Sequence, residues 1–195
     1  LPNAARATVA LAPAVVGKEI GAKLGIAKPV LFGDIPNGDV YIAQDITPAQ
    51  RKAVQDAAIA YYKANQQVAE VFTQAQILAT PSPKGPPEKW TLLERARASY
   101  KVGRSGELIV FLKPRITPIP DPTKGYVATH GSPYDYDRRV PILFWRKGMT
   151  GFEQPTGVET VDILPTLAHQ IGLALTGPKI DGKCLDLAAG GVPCR

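Results

Sequence analysis

Histidine, cysteine and methionine are scarce in this chain. Its 195 residues include two histidines, two cysteines and one methionine. No zinc site is expected on the two cysteines, because no further cysteine or nearby histidine completes four ligands. No run of about 18 apolar residues occurs, so the sequence predicts no membrane span.

The overall composition is that of a loop-rich globular protein. The apolar fraction is 45% and the charged fraction 21%, while 19 prolines and 18 glycines favour an α/β protein over a helical bundle. The chain begins at Leu1 and its methionine is Met149. We therefore expect it to be part of a longer polypeptide.

Positive charge is in excess but not concentrated. The net charge of +6 permits binding of anions or nucleic acid. The lysines and arginines are spread along the chain, however, with no run longer than a pair such as Arg138 and Arg139. We predict no specific nucleic-acid partner, although the basic surface would attract anionic substrates.

Cys184 and Cys194 lie close together near the C-terminus, separated by a turn-rich segment. A disulfide between them would hold a tail that otherwise frays, and would indicate an oxidising compartment. Two unpaired thiols are the alternative. We predict the disulfide and, with it, a periplasmic or secreted location.

The first half of the chain predicts a βαβ-like subdomain at residues 37–79, after an irregular or helical lead-in at 1–36. Strand patterns occur at 39–43 and 67–72. Between them Thr47, Pro48 and Gln50 carry the signature of a capped helix start. The apolar positions that follow have helical spacing; they are Val54, Ala57, Ala58, Tyr61 and Tyr62.

A proline-rich connector at 80–87 separates this part from a larger region at 88–195. Thr91 and Glu94 predict a second capped helix. Residues 107–113 and 140–145 are apolar runs of strand length, which predict buried strands. Asp162 is placed to cap a further helix, with Pro165 in its first turn. Strands that alternate with helices predict an α/β fold.

His130 is the leading candidate for chemistry, since it lies in a loop rich in glycine and proline between two apolar runs. Imidazole is a common metal ligand, and Gly131 would allow close approach of the backbone. A lone histidine in a loop is nevertheless more often structural than a ligand. The other histidine, His169, is expected to be structural, near a helix C-terminus.

The neighbours of His130 leave two further interpretations. A triad of His130, Ser132 and Asp135 is rejected, because no Gly-x-Ser-x-Gly elbow occurs. Asp135 and Asp137 could orient a metal-bound His130 through hydrogen bonds to its ring. Alternatively they form a solvated pair neutralised by the adjacent arginines.

Several segments resemble the C-terminal part of the alkaline phosphatase superfamily, in particular the bacterial phosphate-irrepressible group with a threonine nucleophile. They are the stretches at 71–77, 126–137, 140–145 and 158–167, the Gly-Arg-Ser-Gly turn at 103–106 and the Ile-Asp-Gly turn at 180–182. The resemblance implies the C-terminal part of a three-layer α/β/α sandwich. It also implies that His130 is a ligand of one of two zinc ions.

The function implied by the resemblance is zinc-dependent hydrolysis of phosphate monoesters. The nucleophile and the other ligands would lie in an N-terminal part of the same enzyme, which is the expected partner. This chain alone would be inactive, because one histidine cannot hold a catalytic zinc. The alternatives are a phosphodiesterase or nucleotide pyrophosphatase of the same superfamily, and a non-catalytic anion-binding α/β module.

Overall fold

The computed structural model describes residues 2, 4–177 and 179–187. Contacts group the chain into two compact units. We call Leu1–Pro83 with Trp90–Arg138 the sheet unit, and Lys84–Lys89 with Arg139–Arg195 the C-terminal unit. The three-part division of the sequence at residues 1–36, 37–79 and 88–195 stays a prediction.

A four-stranded antiparallel sheet is the centre of the sheet unit. Its strands are β2 (Leu31–Phe32), β3 (Gly38–Ile42), β4 (Val68–Thr73) and β5 (Leu108–Leu112), in the order β2-β3-β5-β4. All five residues of β5 are buried, which confirms the predicted buried strand. A separate parallel pair joins β1 (Ala5–Arg6) to β6 (Ile116–Thr117).

Helices cover both faces of this sheet. Alternate residues of a strand point to opposite faces, so Leu108, Val110 and Leu112 of β5 pack with residues of α1 (Pro13–Leu24) and α2 (Pro48–Ala64). Ile109 and Phe111 pack with α3 (Gln74–Ala79) and α4 (Leu92–Ser99). This helix, sheet and helix layering confirms the predicted α/β class.

Helix α2 begins where the sequence predicts. Thr47 Oγ1 accepts a hydrogen bond from the Gln50 backbone N–H at 3.2 Å, and the Gln50 side chain accepts one from the Thr47 N–H at 2.9 Å. Such a cap contributes on the order of 1 kcal/mol. The predicted capping box of Thr91 and Glu94 likewise opens α4.

Among the described residues, none of the helices has the length and apolar character that a membrane span requires.

Helix α2 connects two strands that run in the same direction. β3 and β4 are each antiparallel to β5, which lies between them.

At the entry to β5, a Cβ atom on Gly106 would lie 2.6 Å from the carbonyl oxygen of Val40 in β3. The two backbones therefore approach closely, and glycine is required at this point.

The second predicted buried strand, at 140–145, is not present. No described strand pairs with this segment, and its Leu143 and Trp145 are 89% and 83% exposed. A strand needs a neighbour that satisfies its backbone hydrogen bonds. The described residues of the C-terminal unit form no strand that could do so, and the prediction was therefore wrong for this chain.

The C-terminal unit contains helix α6 (Ile163–Gln170), which follows a short 3-10 turn at Thr160–Asp162. The prediction that Asp162 caps α6 with its side chain was wrong. Its backbone is helical, with φ −73° and ψ −16°, whereas a capping residue is extended. The buried carboxylate of Asp162 instead accepts hydrogen bonds from the N–H groups of Glu159 and Lys183, at 3.0 and 2.9 Å.

Candidate functional site

His130 lies on an exposed loop between β6 and the short helix α5 (Asp135–Arg138). Among the described residues its ring has no hydrogen-bond partner, while its carbonyl oxygen accepts a hydrogen bond from Thr129 Oγ1 at 3.3 Å. Gly131 has φ 99°, a conformation that favours glycine. The imidazole of His130 is thus open to a ligand from outside this loop.

The chain that leads to His130 is tethered by Arg6 on β1. Arg6 Nη1 donates to the carbonyl oxygen of Ile119 at 3.0 Å, and Nη2 donates to that of Val127 at 3.2 Å. Because one planar guanidinium makes both contacts, it holds two points of the segment that leads to His130 against β1.

The chain that follows His130 is held by the core of the sheet unit. Arg95 Nη1, on α4, donates to the carbonyl oxygen of Pro133 at 2.6 Å. The Tyr134 hydroxyl donates to the carbonyl oxygen of Leu112, at the end of β5, at 2.8 Å. A helix and the central strand therefore both position the loop.

Two tyrosines form a stacked pair just after the loop. The rings of Tyr134 and Tyr136 lie 5.8 Å apart with an angle of 17° between their planes. Burial, with a smaller contribution from Tyr136, raises the pKa of Tyr134 above its usual value, so its hydroxyl remains a donor. The Tyr136 hydroxyl accepts from the N–H of Arg115 at 2.8 Å.

An open cavity of about 650 Å³ lies beside the stacked pair. Lys113 and Arg115 contribute positive charge to its lining. Arg95 also lines it, but that guanidinium is already 3.1 Å from the carboxylate of Asp135. The lining thus contains both signs of charge, with Lys113 and Arg115 from the segment between β5 and β6 and the carboxylate of Asp135.

Both candidate carboxylates have partners in this chain. Asp135 lies 3.1 Å from Arg95 and 3.6 Å from Arg138, and Asp137 accepts from the N–H of Ser132 at 2.6 Å. No hydrogen bond joins either carboxylate to His130 within the described residues. Their predicted role in orienting His130 stays a prediction.

The geometry agrees with the rejection of a catalytic triad. Within the described residues, the Ser132 hydroxyl is buried and has no hydrogen-bond partner. A nucleophilic serine requires a base within hydrogen-bond reach. Neither His130 nor Asp135 provides one.

His130 fits the predicted zinc only as one ligand of several. No group of three or more histidine, cysteine, aspartate or glutamate side chains among the described residues is placed to hold a metal ion. A catalytic zinc requires three protein ligands and an open position. The exposed and uncommitted ring of His130 suits one of those three positions, and the others would have to come from a different part of an enzyme.

Two other sequence candidates lie at the C-terminal end. Cys194 is outside the described residues, so its predicted disulfide with Cys184 stays a prediction. His169 is exposed in the last turn of α6. It belongs to the C-terminal unit, whereas His130 belongs to the sheet unit.

Sequence reasoning missed the residues that anchor the His130 loop. These are Arg6, Arg95, Tyr134 and Tyr136. The pair of tyrosines two residues apart was a local signal. Nothing local connected Arg95 with Pro133, because 38 positions separate them.

The curated relatives that the chain matches are alkaline phosphatases. It is 54% identical over 192 residues to alkaline phosphatase PhoK of Sphingomonas sp, covering 97% of this chain and 34% of that protein. It is 44% identical over 187 residues to alkaline phosphatase PhoD of Zymomonas mobilis, covering 95% and 32%. The chain thus spans about a third of the length of these relatives. No protein-family model matches it.

Solved structures show the same relationship at the level of the fold. The wild-type alkaline phosphatase PafA matches with a TM-score of 0.67 and 21% identity, covering 90% of this chain and 33% of that one. A PafA mutant matches with a TM-score of 0.66 and 18% identity, covering 87% and 30%. These findings confirm the resemblance: the chain is a relative of the alkaline phosphatases that corresponds to about one third of such an enzyme.

Proposed function

We propose that this chain is the part of a zinc-dependent alkaline phosphatase that contributes His130 as one zinc ligand. The threonine nucleophile and the remaining ligands would lie in the other two thirds of the enzyme. The observation that carries the proposal is the exposed ring of His130 on a loop that Arg6 and Arg95 hold at both ends. A metal ligand needs such a fixed backbone, because outer contacts set its orientation.

The chemistry divides between the metal and the chain. Bound zinc would polarise the phosphoryl group and stabilise the charge on the attacking and leaving oxygens. The chain's own residues would keep the His130 imidazole in place and hold the loop against the sheet. Misplacement of such a group by about 1 Å can cost about 100-fold in rate. Loss of the anchoring contacts is therefore expected to lower activity.

The charge of the chain supports an anionic substrate. Its net charge is +6, and Lys113 and Arg115 line the cavity beside the tyrosine pair. A positive surface raises the local concentration of a phosphate monoester dianion.

We further propose a periplasmic or secreted location, supported by Cys184 and Cys194; peptide mapping without a reducing agent would detect their disulfide.

The proposal can be tested in a chimaera in which this chain replaces the matching third of the Sphingomonas enzyme. His130→Ala should remove bound zinc and lower kcat/KM for p-nitrophenyl phosphate by at least about 100-fold. His169→Ala, at the other histidine, is the matched control and should change neither quantity. Unchanged zinc content and activity in the His130→Ala protein would contradict the proposal. The isolated chain should show no phosphatase activity even with added zinc.

The alternatives give different results in the same assays. A phosphodiesterase or nucleotide pyrophosphatase would prefer bis(p-nitrophenyl) phosphate or a dinucleotide to the monoester. An anion-binding module would bind no zinc, and its affinity for DNA would fall steeply with salt. The cavity lined by Lys113 and Arg115 would be the place to mutate in that case.

A further inference from the structure

The cavity beside the stacked tyrosines combines apolar walls with charged side chains. Its lining residues are Arg95, Lys113, Pro114, Arg115, Ile116, Tyr134, Asp135 and Tyr136. All of them belong to the sheet unit, so the cavity is formed within a single compact part of the chain. A concave surface with apolar walls and a few convergent polar groups is typical of a site for a small molecule.

The positive charge of the cavity is only partly compensated. Asp135 is its acidic residue, and that carboxylate lies 3.1 Å from Arg95. Among the residues that the structure describes, Lys113 and Arg115 form no ion pair. The guanidinium of Arg115 donates to a neutral acceptor, the carbonyl oxygen of Pro2, at 3.1 Å. Two cationic side chains therefore remain to attract an anionic group.

Arg115 occupies a turn position at which glycine is usual. A hydrogen bond of 3.2 Å from the Ile116 N–H to the Lys113 carbonyl oxygen closes the turn between β5 and β6. Pro114 is its second residue and Arg115, with φ 66°, its third. No other non-glycine residue of the described chain has a positive φ. Such a backbone is strained for a residue with a side chain, and retained strain is characteristic of functional sites.

Tyr136 provides a fixed aromatic surface on the wall of the cavity. It is 60% exposed, yet its ring stacks on Tyr134 and its hydroxyl accepts from the Arg115 N–H at 2.8 Å. Among the described residues, the Tyr136 hydroxyl has no acceptor for its own proton and can donate it to a ligand. Because the ring is ordered before binding, packing of a second ring on it costs little conformational entropy.

We propose that this cavity is a binding site for an aromatic phosphate monoester. Lys113 and Arg115 hold the phosphate group, which also accepts a hydrogen bond from the Tyr136 hydroxyl. The aromatic ring of the ligand packs on Tyr136 and against the apolar wall that Pro114 and Ile116 form. Ammonium and guanidinium groups are common partners of phosphate, so the binding requires no metal. The inference goes beyond the proposed function, since it does not involve His130.

The size of the cavity favours an aromatic ester over phosphate alone. Its volume of about 650 Å³ lies within the range of sites for small organic molecules, about 300–1,000 Å³. Inorganic phosphate would contact Lys113 and Arg115 but leave the apolar walls uncovered. An aliphatic ester of equal charge would cover those walls, but it lacks the contact between rings that Tyr136 offers.

Ligand titration of the isolated chain in EDTA provides the first test. An NMR titration with phenyl phosphate should shift the backbone amide of Arg115 and give a Kd of about 1 mM or tighter. Inorganic phosphate and cyclohexyl phosphate, which has the same charge but no aromatic ring, should each bind at least about 3-fold more weakly. No measurable binding of phenyl phosphate, or an equal affinity for cyclohexyl phosphate, would overturn the proposal.

Substitutions locate the site. Lys113→Gln and Arg115→Gly should each weaken phenyl phosphate binding by at least about 10-fold, because each removes a charge-assisted hydrogen bond. Glycine suits the turn backbone at this position, so Arg115→Gly should fold, and Arg115→Lys should bind more tightly than Arg115→Gly. Lys101→Gln, at an exposed lysine elsewhere on the sheet unit, is the control and should change the affinity by less than about 2-fold. Unchanged affinity in both cavity variants would overturn the site.

The chimaera with the Sphingomonas enzyme tests whether the cavity stays open in a complete enzyme. In EDTA, Arg115→Gly should weaken phenyl phosphate binding there as well, and loss of that difference would overturn the proposal. His130→Ala should leave phenyl phosphate binding by the isolated chain unchanged. An inactive chimaera with Arg115-dependent binding would refute the proposed function and retain this site, whereas an active chimaera without such binding would do the reverse.

Discussion

Arg95 donates a hydrogen bond of 2.6 Å to the backbone carbonyl oxygen of Pro133, just after the His130 loop. Its other terminal nitrogen lies 3.1 Å from the Asp135 carboxylate, and the side chain is only 12% exposed. One guanidinium thus holds the chain on both sides of Tyr134. Lysine cannot reproduce this planar fork.

Arg95→Lys should therefore weaken the site without unfolding the chain. In the chimaera we expect zinc affinity and kcat/KM to fall by about 10–100-fold, as for other residues that position metal ligands. Arg97→Lys is the control, since Arg97 is on the same helix but donates to Thr80 at 3.0 Å. Zinc affinity, measured by competition with a chelator, tests whether Arg95 positions the His130 loop. A general loss of stability would instead lower the Tm of the Arg95→Lys and Arg97→Lys variants equally.

Glu107 should make the stability of the sheet unit depend on pH. Burial by itself raises the pKa of Glu107, but hydrogen bonds from Ile42 N–H, Arg51 and Gln44 outweigh burial and hold it below its usual value of 4.5. Because the folded pKa is below the unfolded one, the stabilisation is fully present above about pH 4.5 and is lost as the pH falls through the folded pKa.

The measurement is the urea midpoint between about pH 3 and pH 7. The wild-type chain should lose stability as the pH falls below about 4.5, and Glu107→Gln should reduce this dependence while lowering stability at neutral pH. Glu153→Gln, at an exposed position, should leave the profile unchanged. Parallel profiles for Glu107→Gln and the wild type would show that the carboxylate does not act in this way.

Gly106→Ala should destabilise the sheet unit. The added Cβ would lie 2.6 Å from the Val40 carbonyl oxygen and 2.8 Å from its nitrogen, so β3 and β5 would have to separate. We expect a loss of about 1–3 kcal/mol in the free energy of unfolding. Gly151→Ala is the matched control, because a Cβ there meets nothing within 4 Å. Equal urea midpoints for the two variants would contradict the close approach.

Thr166→Val should loosen the segment after the Ile-Asp-Gly turn. The buried Thr166 hydroxyl donates to the Asp162 carbonyl oxygen at 2.6 Å and accepts from the Leu185 N–H at 2.9 Å. Valine keeps the shape but removes both bonds, at a cost of about 1–3 kcal/mol. Hydrogen exchange at Leu185 should accelerate in Thr166→Val and remain slow in Thr166→Ser, which keeps the hydroxyl.

The parts of the fold that could be predicted are those with local causes. The start of α2 follows from Thr47 and Gln50, which are three residues apart, and β5 follows from an uninterrupted apolar run. The run at 140–145 carries the same signature as β5 but forms no strand. An apolar run indicates that a segment can be buried. A strand also requires a neighbouring backbone with which it can form hydrogen bonds.

The candidate site divides in the same way. His130 was recognised from the residues around it and from their resemblance to a known family. Its anchors were not, because Arg6 lies 121 residues from Val127 and Arg95 lies 38 residues from Pro133. Asp162 was misassigned for the same reason, since its bond to the N–H of Lys183 spans 21 residues.

The sequence by itself determined the α/β class, the capped helices and the central strand, because short-range backbone preferences and apolar periodicity decide these features. The relationship to alkaline phosphatases was recognised instead from the resemblance of particular segments to that family. Only the tertiary structure decided which arginines and tyrosines hold the His130 loop and that residues 140–145 form no strand. Those outcomes depend on contacts between residues far apart in the chain, and local sequence carries no record of such contacts.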